Sequence, residues 1–316
     1  MTTADTAAAA PSWRARSLRI LRIAVSLGAF AWLFSTIDVA AVRRTLTSLP
    51  FGSLVVAQAT VFGSMMIGAA RHRALLAAYG ATSRPSFLAC LRLFLVGYFY
   101  NTFLPGSVAG DAVRAVEARE SFGAEGTTAS LAVVLVERVL GLFGLVVVAG
   151  CAFALRPLAG VRGLSTMVMV GVVVAALGVA VVAIARRLGA VFPGALGRLF
   201  ARLPVLRSAP DFGVAIALSL ASQLMVAATG HALITGFDGS VEPLTSLVVV
   251  PVAAASAYVP ITVSGLGVRE AAFARLYALA GVDTSVGAAF SVAFLGVQVL
   301  AALVGGALSL VEARRS

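Results

Sequence analysis

The stretch Asn101-Thr102-Phe103-Leu104-Pro105-Gly106-Ser107-Val108-Ala109-Gly110-Asp111-Ala112-Val113-Arg114 decides how the chain is read. It begins as the end of an apolar run, breaks at Pro105 and Gly106, and resumes at Gly110 with Asp111 and Arg114 close behind. Proline lacks an N–H and clashes with the turn before it, and glycine releases the backbone, so one helix ends near the break and another starts after it. The resumed segment, Asp111 to Glu120, is too charged to cross a bilayer. The same pattern returns 155 residues later, where Pro260-x4-Gly265-x3-Arg269 matches Pro105-x4-Gly110-x3-Arg114 and Val268 matches Val113.

Outward from the two breaks the chain is apolar almost throughout. Of its 316 residues 60% are hydrophobic and 12% charged, more apolar surface than a soluble domain can hide. Six stretches approach the roughly 20 apolar residues that cross the hydrocarbon core, at about 19–37, 51–70, 127–155, 163–185, 212–235 and 284–311. Two more, 87–104 and 244–261, run into the breaks. Residues 1–17 read as a disordered arm on the cytoplasmic side, and Ile23 to Ile37 as an uncleaved signal anchor, since no small-x-small cleavage site follows before Arg43.

Charge decides the threading. The net charge is +11 and every basic residue is Arg. If both broken stretches enter and leave on one side, 16 arginines share the face of the termini and only four, Arg43, Arg44, Arg156 and Arg162, fall opposite. A full crossing by 87–104 would export the five arginines of 186–207. The positive-inside rule therefore favours an all-α polytopic membrane protein with six spanning helices, two re-entrant broken hairpins and both termini cytoplasmic, at the cell membrane. Residues 18–316 form one transmembrane domain with half-repeats at about 18–157 and 160–316. Each half holds three crossings, an odd number, so the halves are expected to be inverted, an architecture in which broken helices mark the substrate site.

Charges at membrane depth need partners or a purpose. Glu137 and Arg138 lie about 15 Å into their span at about 1.5 Å per residue, and adjacent helical positions point about 100° apart, so each reaches toward a neighbouring element. Asp111, Arg114 and Glu117 follow the first break at i, i+3 and i+6 and are read as one face. The backbone opened by Pro105, Gly106 and Gly110 exposes N–H groups at a helix start, which suits an anion, and Arg114 adds a phosphate-compatible charge. Arg269 and Glu270 hold the equivalent place after Pro260, Gly265 and Gly267. A phosphate-bearing headgroup between the hairpins would satisfy both arginines; an Arg/carboxylate network without a ligand is the competing reading. Asn101 is placed to bond the opened backbone, Tyr98 and Tyr100 read as interfacial anchors, and Arg92 as a snorkelling side chain.

Several classes fall away. Arginines dispersed in short loops are topology signals, not a nucleic-acid surface. Cys90, Cys151, His72 and His231 build no metal or disulfide spacing, Gly265-Leu266-Gly267 lacks a dinucleotide-binding context, and no catalytic constellation can be assembled, so no cofactor is expected and a transporter is favoured over an enzyme.

Asn101 to Arg114, Glu137-Arg138 and Ser264-Gly265-Leu266-Gly267-Val268-Arg269-Glu270, in this order, resemble the lysylphosphatidylglycerol synthase transmembrane-region family, also called flippase-like domain proteins, over about residues 15–312. The resemblance implies a domain that flips lipids; in the best-known members the lipid is a cationic aminoacylated phospholipid whose lysine is attached by a separate soluble domain. Relatives occur beside enzymes of lipid-linked sugar assembly. Because the chain ends at Ser316 just after its last span, that soluble domain is expected to be missing. One departure is Ser107-Val108-Ala109-Gly110, where the family commonly has a glycine pair. The expected function is translocation of an anionic or phosphate-bearing lipid, with a lipid-biosynthetic enzyme as candidate protein partner. The alternatives are a membrane subunit or enzyme of lipid-linked glycan or aminoacyl-lipid synthesis, with Asp111 or Glu137 as base, and a scaffold that transports nothing.

Overall fold

Apolar runs become helices in a bilayer because every backbone N–H and C=O must be satisfied within the segment. The computed structural model describes residues 39–103, 109–155, 164–188, 191, 194, 205–255 and 267–313, and every element in them is helical. In order these are α1 (Val39–Thr47), α2 (Phe51–Ala78), α3 (Phe87–Phe103), α4 (Ala109–Ala118) running into a 3-10 turn (Arg119–Glu125), α5 (Gly126–Leu155), α6 (Leu164–Leu188), α7 (Ala209–Phe237), α8 (Pro243–Ala254), α9 (Val268–Leu279) and α10 (Thr284–Ala313). The 1–17 arm, the 19–37 stretch, Pro105, Gly106, Pro260 and Gly265 lie outside the described residues.

Among the described residues four helices are long and apolar enough to cross a membrane: α2, α7 and the Ala129–Leu155 and Thr284–Leu310 portions of α5 and α10. The 28 residues of α2 extend about 42 Å, beyond a core of about 30 Å. The apolar helices Phe87–Phe103, Met169–Ile184 and Pro243–Ala254 are shorter. Helix starts follow local chemistry. Pro50 precedes α2, Ser208 caps α7 by accepting from the Asp211 N–H with Pro210 just inside, and Pro243 opens α8.

At the centre α2 and α7 lie antiparallel, joined by small residues. Ser53 meets Gly236, the Thr60 and Thr229 hydroxyls are 2.9 Å apart, Gly63 faces Met225, and Arg71 reaches Ser219. Small side chains let backbones approach where lipid offers no hydrophobic drive between helices. α3 crosses α10 equally closely, since a Cβ on Gly305 would sit 1.9 Å from the Leu95 carbonyl oxygen. α8 packs on α5 and on α7. The larger core gathers Phe273, Tyr277, Phe290 and Phe294 around α9 and α10; a smaller one joins Leu75, Leu76, Val133, Val136, Leu140 and Phe212. α6 rests on α5 through Gly171 and Gly178 and turns Met169, Val173, Val174 and Leu177 outward, as a lipid-facing helix does.

One boundary differs from the sequence reading. The span expected to stop at residue 70 continues as α2 to Ala78, so Arg71 and His72 belong to the helix and not to a loop. They turn inward, with His72 only 1% exposed, and an average over a hydropathy window cannot register which way a charge points.

Candidate functional site

The helix α4 is seated by two contacts with α3. A Cβ on Gly110 would lie 1.9 Å from the Gly97 carbonyl oxygen, so only glycine permits this crossing. The Gly110 N–H, one of the unpaired donors at a helix start, donates to Asn101 Oδ1 at 2.9 Å. This seating turns Asp111 and Arg114 into the protein, where they are 7% and 8% exposed. Glu117 instead points outward, because six residues at about 100° each place it about 240° from Asp111. The single face expected for all three is therefore two residues wide.

Glu137 and Arg138 meet α4 from α5. Arg114 donates through Nη1 to Glu137 Oε2 at 2.6 Å and through Nη2 to Asp111 Oδ1 at 2.5 Å. Arg138 donates through Nε to Asp111 Oδ2 at 2.5 Å, and Asn101 Nδ2 is 3.4 Å from Asp111 Oδ1. The fourth carboxylate oxygen, Glu137 Oε1, lies 3.2 Å from His72 Nδ1. A carboxylate only accepts, so His72 is the donor. The Arg114 guanidinium stacks over the Phe94 ring at 4.3 Å, in the space that Gly68 leaves on α2. Adjacent Glu137 and Arg138 thus each find a partner on α4, as their angular separation requires.

These groups line a cavity of about 350 Å³ together with Arg71, Gly97, Tyr98, Gly141, Ser222 and Gln223. Gln223 donates to the Gly141 carbonyl at 3.1 Å, tying α7 to α5 at the cavity wall. Arg71, His72, Phe94 and Gln223 escaped the sequence reading. The signal for the first two was a basic pair at the end of an apolar run; for Phe94 and Gln223 nothing in the sequence distinguished them.

Arg269 and Glu270 form a separate cluster and do not line this cavity. Arg269 donates to Glu270 Oε1 through Nη2 at 2.7 Å and to Gln298 Oε1 on α10 at 2.7 Å. Gly267, at φ 84°, starts α9, and its N–H donates to Glu270 Oε2 at 2.7 Å. Both clusters share a plan: the arginine after the break binds a carboxylate of its own helix and reaches the long helix that follows. Among the described residues no group of three His, Cys, Asp or Glu side chains is placed to hold a metal ion.

Long apolar helices around a buried ionic cluster and a polar cavity define a polytopic α-helical membrane protein. Its sequence matches the family model described as Lysylphosphatidylglycerol synthase TM region over residues 19–306, and the chain belongs to that family, whose members are membrane proteins related to lipid handling. A comparison with curated proteins finds no match.

Proposed function

We propose that the chain is a lipid translocase of the plasma membrane whose cavity takes the headgroup of an anionic or phosphate-bearing lipid. The observation that carries this is the cavity itself: a chamber inside an apolar bundle with three arginines and two carboxylates in its walls. Lipid tails would remain against outward apolar faces such as that of α6 while the headgroup enters. The alternative of an enzyme with Asp111 or Glu137 as base is disfavoured, because both carboxylates are ion-paired to arginines of the cavity wall.

The reading includes six crossings, two re-entrant hairpins, cytoplasmic termini and two inverted halves. In support, the 155-residue offset pairs α2 with α7, α3 with α8, α4 with α9 and α5 with α10. Equivalent helices α2 and α7 lie antiparallel, the arrangement that a two-fold axis in the membrane plane demands. Packing follows suit, since the contact of α3 with α10 has its counterpart in α8 with α5, and that of α2 with α3 in α7 with α8. A lipid-biosynthetic enzyme remains the proposed protein partner.

The test is reconstitution. Proteoliposomes carrying fluorescent anionic phospholipid should move it between leaflets faster than protein-free vesicles, and Arg114→Ala should slow that movement. Equal rates with and without protein refute the translocase reading.

A further inference from the structure

The three guanidiniums in the cavity are not equivalent. Arg114 forms ion pairs with both Asp111 and Glu137, and Arg138 forms one with Asp111 through Nε. Arg71, on α2, acts on Glu137 only through space. Its Nη1 donates a long hydrogen bond, 3.4 Å, to Ser219 Oγ, and its Nε is buried without a partner. Among the described residues no ion pair reaches it. Arg71 lines the cavity, so an acceptor arriving there meets a guanidinium with no carboxylate partner among the described residues.

We propose that Arg71 is the residue that receives the headgroup, and that the headgroup is a phosphodiester bearing one negative charge. The proposal rests on the lipid-handling reading of the cavity and names its substrate class. Counting the walls, Arg71, Arg114 and Arg138 against Asp111 and Glu137 leave one positive charge. A monoanion cancels it. A phosphomonoester dianion leaves an uncompensated negative charge in apolar surroundings, and a cationic headgroup adds to the positive one; both are costly to bury. The forked guanidinium suits two phosphate oxygens, and the Ser222 hydroxyl in the same wall offers a further donor. A volume of about 350 Å³, at the small end for ligand sites, holds a glycerol-phosphate headgroup and excludes acyl chains. That favours a lipid, with its tails outside, over a ligand swallowed whole. Arg114 and Arg138 then hold the walls in place through their ion pairs, and Arg71 is the cavity arginine with no carboxylate partner among the described residues.

The experiment is a binding titration, read by native mass spectrometry, on the full chain in phosphatidylcholine nanodiscs. They are doped in turn with phosphatidylglycerol (phosphodiester monoanion), phosphatidic acid (phosphomonoester) and lysyl-phosphatidylglycerol (net cation). Phosphatidylglycerol should be retained best, and Arg71→Gln should weaken it roughly tenfold to a hundredfold, the value of a charge-assisted hydrogen bond, with an unchanged melting midpoint. Water-soluble glycerophosphoglycerol in excess should fail to displace it; displacement would make the ligand a free phosphodiester and overturn the lipid assignment. Retention of none of the lipids by the wild type removes the lipid-handling reading altogether. Retention of phosphatidylglycerol unaltered by Arg71→Gln removes the role of Arg71 and leaves that reading standing. Should Arg71→Gln fail to fold, the wild-type ranking decides: equal or better retention of phosphatidic acid or lysyl-phosphatidylglycerol overturns the monoanion.

Discussion

Replacing Gly110 with alanine is the sharpest test of how the site is held. The added Cβ would sit 1.9 Å from the Gly97 carbonyl oxygen, 2.5 Å from its carbon and 2.7 Å from its Cα, all backbone atoms that cannot rotate away. Real Cβ contacts do not fall under 3.0 Å, so α4 must retreat from α3 by about 1.1 Å, the gap between 1.9 Å and 3.0 Å. Arg114 and Asp111 ride on α4 while Glu137 and Arg138 stay on α5. A shift of that size along the 2.6 Å Arg114–Glu137 bond takes it past hydrogen-bonding range. Overpacking of this kind costs about 1–3 kcal/mol. Gly213 in α7 is the matched control, with nothing within 4 Å of its added Cβ. There alanine should be neutral or stabilising by about 0.5–1 kcal/mol, the intrinsic helix preference. The assay is thermal unfolding of both variants in one detergent, followed by far-ultraviolet circular dichroism of the helices. An unchanged midpoint for Gly110→Ala, or a larger drop for Gly213→Ala, would refute the close α3–α4 crossing as the seat of the site.

Glu137→Gln keeps the shape of the side chain but leaves Arg114 with one carboxylate in place of two; breaking a buried pair predicts a loss of about 3–5 kcal/mol, visible as a lower midpoint in the same unfolding assay. Arg269→Ala strands Glu270, 2% exposed, with the Gly267 N–H as its remaining donor among the described residues, so it should destabilise by a similar amount yet leave phosphodiester binding intact in folded protein, because Arg269 does not line the cavity. Outside the membrane, hydrogen bonds from Ser240 and Ser285 hold the Asp238 and Asp283 carboxyls below their ordinary range. A depressed folded value means that their stabilising contribution is present above the unfolded value, near pH 4, and is lost as pH falls through the lower folded one. The drop in melting midpoint below about pH 4 should therefore be shallower in Asp238→Asn/Asp283→Asn. Both groups are largely exposed, so the change is small.

Helix positions were legible because length and hydropathy alone decide what a bilayer accepts; the stretches at 127–155, 212–235 and 284–311 reappear as α5, α7 and α10 within a few residues. Charges in the middle of apolar runs were legible for the same reason, and Arg114 and Glu137 do meet. What failed was direction. Arg71 and His72 were assigned to a loop because two basic residues end a hydropathy window, though a helix can carry them through if they face protein. Gln223 and Gln298 are neutral and gave no warning, yet each fastens one helix to another, Gln223 through the Gly141 carbonyl and Gln298 through Arg269. Separation of the Arg269 cluster from the cavity is a matter of tertiary placement that spacing along the chain does not encode.

The partners of Glu137 also bear on how the protein is made. A helix bearing Glu137 and Arg138 enters the bilayer at a cost of roughly 2.5–3.5 kcal/mol for each charge near its middle. His72 and Asp111, like Arg114, precede α5 in the chain, so its counter-charges are synthesised before the helix that needs them. The equivalent positions on α10, Val292 and Ala293, carry no charge, and that helix inserts on hydropathy alone. Insertion of α5 is therefore expected to depend on helices already in the membrane, whereas α10 needs no such partner.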